Sequence, residues 1–231
     1  MASKAKVLIN IDHHGDNLNY GKINWVEPYT SSTCEMLFYL SKLLPVKIDK
    51  EIALYLYVGV LTDTGRFQYS NVKPATFEAS KQLLEYGLDT NAIFKQIYEN
   101  RSFPSTVLMG EVMARASFFP KTGFTYSTVT NEDFLLNNID VGETEHFIDY
   151  LRAIKGAKVA AIFKEVTSTE TKVSLRSTEG LDVSKIAEKF GGGGHAAAAG
   201  YTARKPLRDA IDDLINEINE QPAVSSQPLA K

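Results

Sequence analysis

The fold is decided by residues 7–14, Val7-Leu8-Ile9-Asn10-Ile11-Asp12-His13-His14, in which an apolar run ends in three polar side chains. The run predicts a buried strand with the triplet at its carboxyl end, where ligands bind in open α/β sheets. Two imidazoles and a carboxylate crowded together repel or titrate unless a cation or a phosphate organises them. An aspartate that caps a turn beside two solvated histidines is the alternative, and the triplet alone leaves both open.

The composition is that of an ordinary soluble protein, with 231 residues, of which 44% are hydrophobic and 23% charged. A net charge of −3 argues against binding of polyanions by bulk attraction, so any nucleic-acid contact requires a local patch. The single Cys34 suits a reducing compartment. Because we find neither a membrane-length apolar run nor a signal peptide, we expect a cytoplasmic protein without a membrane partner.

A second candidate site residue follows a long apolar helix, predicted to start at 49–51 and to be buried nearly all round. Asp63 emerges at its end, and buried carboxylates are normally paired or bind a metal. Arg66, three residues on, is the alternative partner for Asp63. The helix before this one is predicted to begin at Ser32, which has the spacing of a capping box with Glu35.

A glycine-rich segment, Gly191 through Gly200, lies between two predicted helices and contains His195 followed by four alanines. Glycines allow a nest of backbone N–H groups around an anion, and the small residues after them can start a helix whose amino end favours phosphate. A flexible linker is the alternative. Arg176, at the end of a predicted hairpin strand, offers a planar fork for phosphate or a base edge, or is an ordinary surface arginine.

The chain is predicted to be α/β and to have two domains. A polar run followed by a proline at 100–104 is typical of a boundary. We therefore expect a first domain over 1–100, a linker over 101–105, a second domain over 106–220 and a flexible tail over 221–231.

Four segments in this order resemble the DHH phosphoesterase superfamily with its DHH-associated C-terminal domain, and most of all its bacterial nanoRNase/pAp-phosphatase branch. These segments are Asp12-His13-His14, Gly59 through Phe67, Ser174 through Ser177 and Gly191 through Gly200. The resemblance implies a parallel-sheet domain with flanking helices that holds two Mn²⁺ ions. It also implies a smaller mixed-sheet α/β domain that binds the nucleotide.

The resemblance also implies roles for individual residues. His13 and Asp63 match metal ligands, while Asp12 and His14 belong to the same catalytic motif and orient ligands or contact phosphate. The substrate-binding positions that it implies are Arg66, Arg176, Gly192, Gly193, Gly194 and His195. The implied substrates are short RNA oligonucleotides, cleaved to mononucleotides, and the 3′,5′-bisphosphonucleoside pAp, converted to AMP.

One departure from the family pattern concerns the metal ligands. Family members carry a longer segment before the triplet, with a first motif of His and two Asp and a further Asp. Here only His13 and Asp63 remain, too few for a tight binuclear site. We therefore expect a truncated chain, a shortened gene product or a piece that another polypeptide completes. In each case an open sheet edge and an apolar face are left to be covered, and a homo-oligomer is one way to cover them.

Two other functions stay open beside the leading one. A non-catalytic nucleotide- or RNA-binding fragment with an incomplete metal site is the first, and a cyclic-dinucleotide phosphodiesterase is the second. A RecJ-like exonuclease is disfavoured because no further nucleic-acid-binding domain follows the glycine segment. The glycine-rich domain also resembles one in alanyl-tRNA synthetases, but that comparison does not explain Asp12-His13-His14 or Asp63.

Overall fold

A computed structural model describes residues 5–15, 17–178 and 181–220. The chain divides into two compact units, the first ending at Asn100 and the second beginning at Arg101. The predicted linker over 101–105 is wrong in its second half, because Phe103 already starts a helix of the second unit. The predicted tail over 221–231 lies outside the described residues.

The first unit combines a small parallel sheet with four helices. Its elements are β1 (Ile9–Asp12), β2 (Ile23–Val26), α1 (Thr33–Ser41), α2 (Lys50–Asp63), α3 (Pro74–Leu84) and α4 (Thr90–Tyr98). The two strands pair in parallel, with Ile9 opposite Ile23. The prediction of a parallel sheet with flanking helices is therefore confirmed, although the sequence pattern did not reveal β2.

β1 is less buried than its apolar sequence predicts. Ile9 is 57% exposed and Ile23 of β2 is 53% exposed, whereas the polar Asn10 is buried. The predicted buried strand is wrong, because the apolar core of this unit lies among its helices instead. Val7, Ile9 and Ile23 leave apolar side chains in contact with solvent on and next to this sheet.

Helix α2 is the centre of the helical core, and Asp49 caps its amino end by accepting a hydrogen bond from the Ile52 N–H. Tyr55 is 63% exposed, so α2 has a solvent face and is not buried all round as predicted. A Cβ at Gly59 would overlap the Cys34 Sγ of α1, so the glycine allows the two helices to pack closely. The buried core residues are Phe38, Ala53, Leu56, Tyr57, Leu61, Ala79, Leu83 and Ile93.

The second unit is built on a mixed sheet of six strands in the order β3-β4-β5-β6-β8-β7. Only β4 and β5 pair in parallel. The elements are α5 (Phe103–Ala114), β3 (Ser117–Phe119), β4 (Phe124–Val129), α6 (Asn131–Asn137), a 3₁₀ turn (Val141–Thr144), α7 (Phe147–Arg152), β5 (Val159–Thr167), β6 (Glu170–Ser177), α8 (Val183–Lys189), β7 (Gly193–His195), β8 (Ala198–Ala203) and α9 (Leu207–Glu220). The predicted hairpin is confirmed as β5 and β6.

Each face of this sheet is packed against helices. On one face, Phe163 of β5 and Leu175 of β6 are buried with residues of α8 and α9. On the other, Ala160 and Ile162 of β5 are buried with residues of α5, α6 and α7. Strand β5 is therefore buried on both sides, which fits its nearly continuous apolar sequence.

The helices of the described residues are short. The longest, α2 and α9, have 14 residues each. A helix needs about 20 apolar residues to cross a bilayer. No helix within the described ranges reaches the length and apolar character of a membrane span.

Gly59→Ala is expected to lower the free energy of unfolding by about 1–3 kcal/mol, since the new methyl group overlaps Cys34 in a packed helix contact. The matched control is Gly110→Ala in the interior of α5, where an added Cβ meets open space. That change should stabilise the protein by up to about 1 kcal/mol, because alanine favours helix. Urea unfolding followed by circular dichroism measures both. A Gly59→Ala protein as stable as the parent would contradict the close packing.

Candidate functional site

The polar triplet lies at the carboxyl end of β1, where Asp12 closes the strand. Asp12 Oδ1 accepts hydrogen bonds from the His13 N–H at 2.8 Å and from His14 Nδ1 at 2.6 Å, and Oδ2 accepts one from Asn17 Nδ2 at 2.6 Å. Partial burial acts to raise the pKa of Asp12, but the hydrogen bonds from His14 and Asn17 outweigh it and hold the pKa well below its usual range. Asp12 is therefore an ionised carboxylate that orients its neighbours.

His13 is held between a backbone carbonyl and a carboxylate. Its side chain is only 9% exposed, and its Nε2 lies 3.6 Å from Oδ2 of Asp63. Its Nδ1 lies 3.4 Å from the carbonyl oxygen of Thr30. Because a carbonyl oxygen only accepts hydrogen bonds, a hydrogen bond here has Nδ1 as its donor, and Nε2 is then the ring nitrogen that faces Asp63.

Asp63 is the last residue of α2, as the sequence predicts, but its side chain is 43% exposed. The expectation of a buried carboxylate is therefore wrong. The structure brings Asp63 to His13, whereas Arg66, the alternative partner, places its guanidinium 5.1 Å above the ring of Tyr98. Within this unit, the rings of His13 and His14 lie edge to face with centroids 4.7 Å apart.

The turn that follows Asp63 has an uncommon backbone. Gly65, Arg66 and Phe67 all adopt positive φ angles, of 54°, 64° and 62°. A non-glycine residue in this region costs about 1–2 kcal/mol, and such strain is concentrated at functional sites. The Thr64 hydroxyl accepts a hydrogen bond from the Phe67 N–H at 3.1 Å and thereby closes the turn. The chain reverses sharply here and leaves Asp63 at the surface.

The donor types at this end of the sheet fit a divalent metal ion. Carboxylate oxygen suits Mn²⁺ and imidazole is the commonest side-chain metal ligand, and His13 and Asp63 present one of each. Burial raises the pKa of the Cys34 thiol and the Asp63 charge raises it further, so this neighbour is protonated and is a poor ligand. Two side chains are few for tight binding, so these residues fit one side of a metal site.

In the second unit, strand pairing brings Arg176 and His195 onto one face of the sheet. Arg176 of β6 pairs with Ala198 of β8, which pairs with His195 of β7. With Ala198 between them, the two residues are about 10 Å apart across the sheet. This cross-strand row, which we call the Arg176–His195 row, lies on the face opposite the buried Leu175 and Ala199. Two of the predicted substrate-binding residues therefore share one surface.

The neighbouring row is made of very small residues. Ser174 of β6 pairs with Gly200, which pairs with Gly193. A Cβ added at Gly193 would meet nothing within 4 Å, so the surface above this strand is open. A floor of small side chains beside a guanidinium and an imidazole can accept a planar or anionic group in direct contact with the backbone.

The glycines form a strand edge and not the predicted nest followed by a helix. Residues 198–203 continue as β8, so the phosphate-binding helix end is wrong: pairing with β6 overrides the helix propensity of the alanines. A Cβ at Gly192 would overlap the Gly200 carbonyl, and one at Gly194 would come within 2.6 Å of the Ala198 carbonyl. These two glycines are required for close pairing, which also excludes a flexible linker.

Arg176 is anchored at one edge only. Its Nη1 donates to the carbonyl oxygen of Leu175 at 2.9 Å, while its buried Nε has no partner among the described residues. Asp149 of α7 lies nearby: burial acts to raise the pKa of this carboxyl, but a hydrogen bond from His146 and then the Arg176 charge hold it lower. Arg176 therefore carries an unsatisfied donor beside the small-residue floor.

Sequence reasoning missed three residues that structure these sites: Asn17, Asn71 and Asp149. Asn17 follows the triplet, and its place in a turn was a usable signal. Asn71 donates to the Ser31 carbonyl, far away in sequence, and the charge of Arg176 acts on Asp149 from another element of the fold. No local pattern could have identified the last two.

Two family models match the chain. The DHH family N-terminal domain matches residues 1–60, which include the triplet, and the DHHA1 domain matches residues 122–222, which include Arg176 and His195. The chain belongs to the DHH family. The resemblance that the four motifs indicate is thereby confirmed. Asp63 lies just beyond the matched range of the first domain.

Relatives of this DHH chain are longer than it is. The bifunctional oligoribonuclease and PAP phosphatase NrnA of Thermus thermophilus is 32% identical over 215 residues, covering 93% of this chain and 64% of that protein. The protein of the same name from Bacillus subtilis is 28% identical over 196 residues, covering 84% and 61%. A crystal structure of an exopolyphosphatase-related protein from Bacteroides fragilis superposes with a TM-score of 0.85 at 27% identity, covering 92% and 63%. The chain spans less than two thirds of each of these relatives.

Gly192→Ala is expected to lower the free energy of unfolding by about 1–3 kcal/mol, because its methyl group would displace the backbone of β8. Gly193→Ala, one residue along and facing open space, should change it by less than about 1 kcal/mol. Thermal unfolding of the two variants makes the comparison. Equal destabilisation by both would contradict the strand pairing of this segment.

Proposed function

We propose that this DHH chain has the phosphoesterase chemistry of its relatives and acts on short RNA oligonucleotides and on pAp with a divalent metal ion, preferably Mn²⁺. The observation that carries the proposal is the approach of His13 Nε2 to Asp63 Oδ2 at 3.6 Å, at the carboxyl end of parallel strands. The names of the NrnA relatives support the choice of substrates.

His13 and Asp63 would hold the metal ion from one side. A bound divalent ion supplies Lewis acidity and lowers the pKa of a water, which is the chemistry that phosphate ester hydrolysis needs. The chain itself contributes orientation: the Thr30 carbonyl fixes the ring of His13, and Asp12 fixes that of His14. With Nδ1 donating to Asp12, His14 would donate from Nε2 to a phosphate oxygen in its imidazolium form, in which both ring nitrogens carry protons.

The Arg176–His195 row would bind the nucleotide. The Nε donor of Arg176 has no partner in the part of the chain that the structure describes, and both side chains can donate to phosphate oxygens. The open surface above Gly193 gives the nucleotide room to approach the strand backbone. The row is local, which agrees with a net charge of −3 for the whole chain.

A second candidate is a nucleotide-binding module that does not turn over substrate on its own. The specific observation in its favour is that the ligand atoms gathered at this end of the sheet come from His13, Asp63 and the neighbouring His14 among the described residues of the first unit, while tight divalent sites require more. Coverage of 64% of the Thermus thermophilus relative is consistent with either candidate. Catalysis separates them, since both predict binding of AMP.

The experiment that tests the proposal combines the chain with Mn²⁺ and either a short RNA or pAp and follows release of mononucleotide or phosphate. His13→Ala and Asp63→Asn should abolish turnover and weaken Mn²⁺ binding, whereas the affinity for AMP in the absence of metal should stay unchanged. Turnover that survives both substitutions would overturn the metal site. AMP binding without any turnover by the parent chain would select the module.

His195→Ala and Arg176→Ala are expected to weaken AMP binding about 10-fold or more, the effect of losing one charge-assisted hydrogen bond of about 1.5–3 kcal/mol, with Mn²⁺ affinity unchanged. The matched control is Lys121→Ala, which removes one positive charge from an exposed position away from the row. Isothermal titration calorimetry measures all three. A loss of AMP affinity in Lys121→Ala equal to that in Arg176→Ala would show bulk electrostatics instead of a site.

Substrate preference is tested with a panel of pAp, a dinucleotide and cyclic di-AMP under the same conditions. One relative, from Geobacillus thermodenitrificans, is named a cyclic-di-AMP phosphodiesterase, and this chain covers only 33% of it. We expect pAp and the linear dinucleotide to be hydrolysed faster. Faster hydrolysis of cyclic di-AMP would contradict the proposed substrates while leaving the phosphoesterase chemistry in place.

A further inference from the structure

Asn71 connects two backbone segments that meet at the candidate metal site. It lies between α2 and α3, and its Nδ2 donates to the carbonyl oxygen of Ser31 at 2.9 Å and to that of Asp63 at 3.1 Å. A side-chain amide nitrogen carries two hydrogens, so both are used. The bridge ties the segment before α1 to the end of α2.

The segment before α1 is the one that orients His13. The Thr30 carbonyl lies 3.4 Å from His13 Nδ1, near the upper limit for a hydrogen bond. A displacement of that carbonyl by a few tenths of an ångström would remove the bond and free the ring to change its tautomer. Ser31, the next residue in the chain, is the one whose carbonyl accepts a hydrogen bond from Asn71.

Side-chain hydrogen bonds also hold the segment before α1. The Ser31 hydroxyl donates to the carboxylate of Glu35, and the hydroxyl of Thr76 donates to the same oxygen at 2.9 Å. Glu35 is 4% exposed, so this is a buried network between α1 and α3. Ser32 caps α1 as predicted. The Glu35 side chain accepts its hydrogen bonds from Ser31 and Thr76. Ser31 is therefore fixed at its hydroxyl by Glu35 and at its carbonyl by Asn71.

The oxygen of the Asn71 side chain points to the same conclusion. Oδ1 is buried and has no hydrogen-bond partner among the described residues. A buried acceptor without a partner is unfavourable and requires an explanation. The explanation is that this position needs the two donors of the amide nitrogen. No other side chain of this size offers two hydrogens from one planar group.

We propose that Asn71 is a positioning residue for the His13–Asp63 pair. It acts through the backbone. One hydrogen bond holds the Ser31 carbonyl, next in the chain to the Thr30 carbonyl that orients His13, and the other holds the carbonyl of Asp63 itself. The part of the inference that concerns a metal ion rests on the proposed function. The part that concerns the orientation of His13 rests on the described contacts alone.

The test uses Asn71→Ala and Asn71→Asp, because alanine offers no side-chain donor and an ionised carboxylate cannot donate to either carbonyl. The matched control is Asn131→Ala, which removes a comparable 3.0 Å bond from Asn131 Nδ2 to the Val166 carbonyl in the second unit. Two quantities are measured in each protein. The first is the tautomer of His13 without metal, from the ¹⁵N shifts of the neutral ring, and the second is Mn²⁺ affinity by electron paramagnetic resonance.

In the parent protein, we expect His13 to carry its proton on Nδ1, and in both Asn71 variants to show a mixture of tautomers. Their Mn²⁺ dissociation constants should rise about 10- to 100-fold, the usual effect of losing support behind a ligand. Asn131→Ala should leave both quantities at the parent values. If Asn71→Ala does not fold, Asn71→Ser decides, because one hydroxyl can serve only one carbonyl and should give the same tautomer mixture.

An unchanged His13 tautomer in folded Asn71 variants would overturn the inference, as would an equal change in Asn131→Ala. If the parent chain binds no Mn²⁺ while the Asn71 variants still show the change of His13 tautomer, the proposed metal function is overturned and the positioning role remains supported. The two failures are therefore distinguishable, because the tautomer is read without metal and without substrate.

Discussion

The parallel pairing of β1 with β2 is the constraint on which the first site depends. Parallel strands end at the same edge of a sheet, so the residues after Asp12 and those after Val26 emerge side by side. The Glu27 N–H donates to the Asp12 carbonyl at 3.0 Å and continues the ladder to its last residue. The Thr30 carbonyl can reach the ring of His13 only because of this arrangement. Helix α2 ends at Asp63, so its carboxylate lies beside the same ring.

In the second unit, the equivalent constraint is strand register. The row that contains Arg176 and His195 exists because β6, β8 and β7 pair in one alignment, and a shift by one residue would turn both side chains towards the core. Gly192 and Gly194 enforce that alignment, since any side chain there would collide with β8. The glycine segment thus contributes to the surface mainly by fixing which face His195 occupies.

The sequence predicted what depends on local pattern and on the family motifs, and missed what depends on distant partners. The cap at Ser32, the hairpin of β5 and β6 and the position of Asp63 follow from spacing within a few residues. The alanines after His195 favoured a helix, but β6 supplied a pairing partner that no local rule contains. The exposure of Ile9 was also missed, because an apolar run indicates a strand without showing what lies against it.

Gly59 has a mechanical consequence for the first site. Cys34 belongs to the first turn of α1 and Gly59 to the last turns of α2, so the contact between them lies just behind Ser32 and Asp63. The two helices therefore pack closely at that point, with no room for a further methyl group. A substitution that pushes the two helices apart at this point would therefore also separate the Thr30 carbonyl from the Asp63 carboxylate, and would widen the gap between imidazole and carboxylate without touching either group.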